Sequence, residues 1–134
     1  MLSTRYTKLR ALTRPTANSP AIPPENIMKY CKLEIFIPES HLAVLQETLR
    51  NCDAGHIGNY DSCLAYSRVI GTWRPLEGSH PYSGSINSVS SEEELKVEVT
   101  CRLDDLDAII AAVKAVHPYE EPVINAIMLI RTGL

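Results

Sequence analysis

No two cysteines stand two residues apart and no two histidines have zinc-finger spacing: Cys31, Cys52, Cys63 and Cys101 are scattered along the chain. That excludes a closed finger-type zinc site, whose ligands come in close pairs. Three of the four fall at apolar positions of periodic segments, where a free thiol behaves as a small core residue. A reducing compartment, the cytoplasm, is therefore expected. Long hydrophobic runs are also missing. The longest fall short of the roughly 20 residues a membrane-spanning helix needs, so no membrane partner is expected. Glycine is sparse, at six residues. Gly55 and Gly58 are too few and wrongly placed for a Walker or dinucleotide loop, and calcium-binding nonapeptide repeats are absent.

Acid is lacking at the start. Nothing acidic precedes Glu25, and residues 1–28 set Arg5, Lys8, Arg10 and Arg14 against that one carboxylate. With four prolines besides, this stretch reads as a disordered extension or a mitochondrial targeting peptide, which would change the compartment. No function is placed there. Residues 29–134 carry nine basic against fifteen acidic side chains. Such an acidic domain offers no surface for phosphate backbones, and nucleic acid is not an expected partner.

What is present is periodicity. In CKLEIFI (31–37), Cys31, Leu33, Ile35 and Ile37 alternate with the other residues, the pattern of a strand with one buried face. Pro38 ends it, and Ser40 is placed to cap a helix reaching Cys52 with Leu42, Leu45 and Leu49 on its apolar stripe. CLAYSRVI (63–70) reads as a second strand, with Cys63 opening it toward the core, and LKVEVTCRL (95–103) as a third. Asp104 and Asp105 then start a helix striped with Leu106, Ile109, Ile110 and Val113, which Pro118 ends. VINAIMLI (123–130) is the last, well-buried strand. The order βαββαβ predicts a ferredoxin-like α+β domain over 29–134, helices on one face of an antiparallel sheet. Its connectivity sends His80-Pro-Tyr82 and His117-Pro-Tyr119 to one end of the fold and the 53–62 loop to the other.

The segment 71–94 is too long and too featured for a hairpin turn, and loops of this kind usually bind something. Trp73 and Arg74 supply an aromatic face and a planar cation; Glu77, His80 and Tyr82 follow, and Ser83 to Glu94 reads as a solvated tail. Trp73 can equally serve packing. His117 has two readings. At a helix end it can satisfy loose carbonyls while Pro118 and Pro122 turn the chain. Alternatively His117, Glu120 or Glu121, together with His80, Glu77 or His41, could hold a divalent metal. The narrowest such set is His80, His117 and Glu120. In GHIGNYDSC, Gly55, His56, Gly58, Asn59, Tyr60 and Asp61 read as a tight turn that also lines a subunit contact, Gly58 and Asn59 being able to take positive φ. A Cys63–His56 nucleophile pair lacks any activating neighbour.

Taken in order, GHIGNYDSC (55–63), GTWRPLEGSHPYSG (71–84) and HPYEEP (117–122) resemble the inserted middle domain of the Nif-three-like (YqfO-type, NGG-interacting-factor-like) proteins over residues 30–130. That insert is similar in fold to the trimeric PII signalling proteins and to CutA, the divalent-cation tolerance protein. The resemblance implies a stand-alone, non-enzymatic homo-trimer that binds a metal ion, a small ligand or a protein partner through its top loops and subunit clefts. Trp73, Arg74, Glu77, His80, Tyr82, His117, Tyr119 and Glu120 are the residues expected to contact the ligand. The larger family members hold two metal ions in flanking domains. A metal-dependent hydrolase, or an accessory domain of such a two-metal enzyme, is the alternative.

Overall fold

The computed structural model describes residues 29–134, so the extension expected at 1–28 lies outside the described residues. Alternation decides the first element: in β1 (Tyr30–Ile37) every second residue is buried. A 3-10 turn, Glu39–His41, leads into α1 (Leu42–Asn51); β2 (Leu64–Trp73), β3 (Ser90–Arg102), a second 3-10 turn, α2 (Leu106–Val116) and β4 (Ile124–Leu129) follow. The sheet order is β2-β3-β1-β4, with every neighbouring pair antiparallel. This is the ferredoxin-like α+β arrangement the periodicity predicts.

The core lies between one sheet face and the two helices. Leu45 and Leu49 of α1 and Ile109 and Val113 of α2 pack with Leu33, Ile35 and Ile37 of β1 and Leu95, Val97 and Val99 of β3. Each such side chain taken fully from water contributes about 1.5–3 kcal/mol, which is why the apolar stripes specify this docking. The opposite face carries charge. Lys32 Nζ sits 3.0 Å from Glu98 and 3.5 Å from Glu34, and Lys96 Nζ sits 3.3 Å from Glu34. Cross-strand pairs of opposite sign keep this face in register.

Several local expectations are corrected. Ser40 does not cap α1; the 3-10 turn delays the helix start to Leu42, its N-cap His41 makes no side-chain cap bond, and Ser40 Oγ lies 2.9 Å from His41 Nδ1. The 71–94 segment is not all loop. Gly71 pairs with Glu92 and Trp73 with Ser90, so the connection is only 74–89, and the supposedly solvated Glu94 is 7% exposed. Cys63 precedes β2 and is part-exposed, its Sγ 3.6 Å from the Asp61 carbonyl. The last strand is not well buried: the helices cover β1 and β3, β4 is an edge, and Met128, Ile127 and Val123 are exposed while Ile130 is 96% exposed. A continuous apolar run marks burial on both faces only in a central strand. Among the described residues no helix is long and apolar enough to cross a membrane.

Candidate functional site

The site is built where β1 ends. Phe36 lies on the charged face of the sheet, and its carbonyl is left for the chain beyond α2. His117, the residue at which α2 stops, has extended backbone (φ −75°, ψ 135°) while its amide still donates to Val113 at 3.0 Å. Its ring turns inward. Nε2 lies 2.7 Å from the Phe36 carbonyl, and Nδ1 accepts the Tyr119 amide at 3.1 Å. An amide only donates, so Nδ1 is the acceptor and the proton sits on Nε2. Burial pushes the His117 pKa down; the Phe36 bond opposes that, and the neighbouring His41 adds to it.

With the ring pinned, Tyr119 is carried over the sheet. Its ring centroid is 4.9 Å from His117, 5.9 Å from Trp73 and 5.9 Å from Tyr82. Its phenol donates to Glu94 Oε2 at 3.0 Å. Desolvation pushes the Tyr119 pKa well up, and the hydrogen bond to Glu94 pushes it further, so it stays a neutral donor. Glu94 fits there because Gly71 has no side chain. A Cβ on Gly71 would come within 1.6 Å of Glu94 Oε1. Trp73 is fixed by an Nε1–H bond to the Ser83 carbonyl at 3.0 Å.

Around these groups lies a cleft of about 510 Å³, walled by Phe36, Trp73, Leu76, Pro81, Tyr82 and Tyr119, with Arg74, Glu94, Glu120 and Glu121 also lining it. The two His-Pro-Tyr triplets do meet at this rim. Glu120 Oε2 accepts the His80 amide at 2.9 Å, and Glu120 Oε1 is 3.8 Å from His80 Nδ1. The metal trio does not converge. His80 points to solvent, 89% exposed at its side chain, while both His117 ring nitrogens are engaged inside the fold. Among the described residues no three His, Cys, Asp or Glu side chains group around a common point. Glu77 stands outside the cleft lining, 3.4 Å from Asn87 Nδ2, and the His41 and Tyr82 rings form a T-shaped pair with centroids 6.0 Å apart.

The GHIGNYDSC turn is at the far end. Gly58 has positive φ as expected and Gly55 shares it, but Asp53 and Ser62, not Asn59, are the other left-handed positions of this segment. His56 bonds Asp53 at 2.7 Å and the Gly58 carbonyl at 2.9 Å, and Tyr60 is exposed. None of these residues lines the cleft. Glu94, Gly71 and Phe36 are the site residues that sequence reasoning missed. The available signal was Gly71, since a glycine inside a strand marks a close approach.

No protein-family profile matches the chain. It is similar to the GTP cyclohydrolase 1 type 2 homolog of Halalkalibacterium halodurans, at 37% identity over 102 residues, 76% of this chain and 27% of that protein. The homolog of Mycobacterium leprae gives 34% over 99 residues, 74% of this chain and 26% of that one. The chain thus spans about a quarter of the length of these curated relatives. Among solved structures, a Bacillus cereus protein related to NIF3 superposes with TM-score 0.68 at 29% identity, covering 78% of this chain and 26% of that one. The periplasmic divalent cation tolerance protein CutA of Archaeoglobus fulgidus gives TM-score 0.59 at 19% identity over 77% of this chain and 86% of its own, a likeness of fold.

Proposed function

Because this chain is a small module of the Nif-three-like family with a CutA-like fold, we propose that it is a non-enzymatic binding module whose rim cleft receives a small ligand. One observation carries the reading: β1, β2, β3 and the segment after α2 converge on a single pocket whose lining includes the bonded Tyr119–Glu94 pair. Pockets of this size, apolar with a few placed polar groups, are the usual form of a small-molecule site. Trp73, Arg74, Tyr82, Tyr119 and Glu120 contact the ligand, and His80 stands at the mouth. The module is a homo-trimer. The exposed apolar residues of β4 and of Ile130 support this, since an open apolar edge on a lone domain invites pairing.

Trp73 is the single Trp of the chain and therefore reports on the cleft. The test is Trp73 emission and thermal midpoint against a panel of cationic, neutral and anionic small molecules and divalent metals, with sedimentation for the assembly. At least one class raises the midpoint and saturates the emission change. If none does, the cleft is not a binding site. A second reading, an accessory domain of a larger metal-dependent hydrolase, is favoured by the chain's span of about a quarter of its relatives. Co-purification with a hydrolase partner would support it.

A further inference from the structure

The geometry points to an organic ammonium group, protonated or quaternary, on a small molecule as the occupant of the rim cleft; this rests on the reading of that cleft as a binding site. Glu94 is the first ground. It is almost wholly buried and takes part in no ion pair with any described Lys, Arg or His. Among the described residues its one side-chain hydrogen bond comes from the neutral phenol of Tyr119. A carboxylate so placed, beside an open cavity, has its charge oriented and, among the described residues, unanswered. Buried charges are ordinarily paired, so the missing cation is the part the ligand would bring.

The walls are the second ground. Trp73, Tyr82 and Tyr119 cluster with ring centroids 5.9 Å apart along the row. Aromatic faces attract cations, and aromatic surroundings suit cations that are weakly hydrated. Charge also selects. Glu94, Glu120 and Glu121 line the cleft against the lone exposed Arg74, a balance that repels phosphates and carboxylates. A bare divalent ion fits poorly. Such an ion wants several oxygen or nitrogen ligands at short range, and no group of three metal-binding side chains exists among the described residues. An ammonium carried on a carbon frame needs only one carboxylate and apolar walls.

The experiment uses the full chain and three probes at matched ionic strength: choline, its neutral carbon isostere 3,3-dimethyl-1-butanol, and ATP. Trp73 emission and calorimetry are read together. Choline binds saturably, the isostere binds about tenfold more weakly or worse, and Glu94→Gln lowers choline affinity by about tenfold or more. The Gln amide oxygen can still accept from Tyr119, so that variant keeps the fold. Gly71→Ala, whose Cβ displaces the carboxylate, gives the same loss by a different route. Equal affinity for choline and the isostere, or unchanged choline affinity in both variants, overturns the proposal. Saturable binding of ATP or the isostere without choline overturns the ammonium assignment while the cleft stands as a site. Silence from all three probes overturns both.

Discussion

The Tyr119 phenol donates to Glu94 Oε2 across 3.0 Å, tying the turn after α2 to the start of β3. These residues are 25 apart in the chain and meet only because both ends of the sheet rim are folded. Removing the donor strands a buried carboxylate oxygen. Tyr119→Phe should therefore lower unfolding free energy by about 1.5–3 kcal/mol, the range for hydrogen bonds to charged groups. Urea denaturation measures it. A loss near zero would mean that water replaces the phenol without penalty and that the pair is not a structural tie.

His117 and His56 should give pH dependences of opposite sign. Burial lowers the His117 pKa below the unfolded value of 6.5, so between the folded pKa and 6.5 the unfolded chain binds more protons and stability falls on acidification. His56 is raised, first by its bond to Asp53 and then by the Gly58 carbonyl. Its contribution is full below 6.5 and is lost as pH rises through the folded pKa. His117→Gln should flatten the loss of stability below pH 6.5, and His56→Gln should flatten the loss above it. Imidazole nitrogen shifts should show His117 neutral with its proton on Nε2 at pH 6.5. A protonated ring there would remove the account given of its lock on Phe36.

Particular residues show what the sequence made legible. Cys31, Leu33, Ile35 and Ile37 alternate, and Leu45, Leu49, Ile109 and Val113 recur at helical spacing; such periods report burial on one face, and the core is made of these side chains. The βαββαβ order then brought both His-Pro-Tyr triplets to one rim. Burial on the other face is not periodic. Glu94 sits in a run of acids that reads as solvated, and only the space left by Gly71 and the arrival of Tyr119 bury it. The role of His117 likewise depended on which carbonyl lay near it. Composition cannot tell Phe36 from a metal ion as the partner of an imidazole. VINAIMLI misled because hydrophobicity does not distinguish a central strand from an edge that awaits a neighbour.

The cysteines should divide by reactivity. Cys31 and Cys101 face each other across β1 and β3 with sulfurs 3.3 Å apart, both buried, and burial first, then the Cys31 contact, pushes the Cys101 thiol up to about 12. Both sulfurs lie out of a reagent's reach, so neither should react with a disulfide reagent in the native protein. Cys52 and Cys63 are only partly buried. They should label first at pH 8, with all four reacting in denaturant. Mass mapping that finds Cys101 labelled as fast as Cys63 would show that the core opens far more readily than its packing implies.

Gly55 and Gly58 both have positive φ, at 75° and 56°, but only Gly55 is crowded. A Cβ there would stand 2.5 Å from the Cys63 carbonyl oxygen, whereas nothing among the described residues lies within 4 Å of one on Gly58. Gly55 is also bonded on both sides: its amide donates to Thr100 and its carbonyl accepts from Cys63, each at 2.9 Å. Left-handed backbone costs an ordinary residue about 1–2 kcal/mol, which is all that Gly58→Ala should lose. Gly55→Ala must pay the same strain and also push β2's approach away from β3, so its loss should exceed that of Gly58→Ala by at least about 1 kcal/mol. Equal losses in thermal or urea unfolding would mean that the turn yields freely, and that the contact between this loop and Thr100 does not anchor the far end of the sheet.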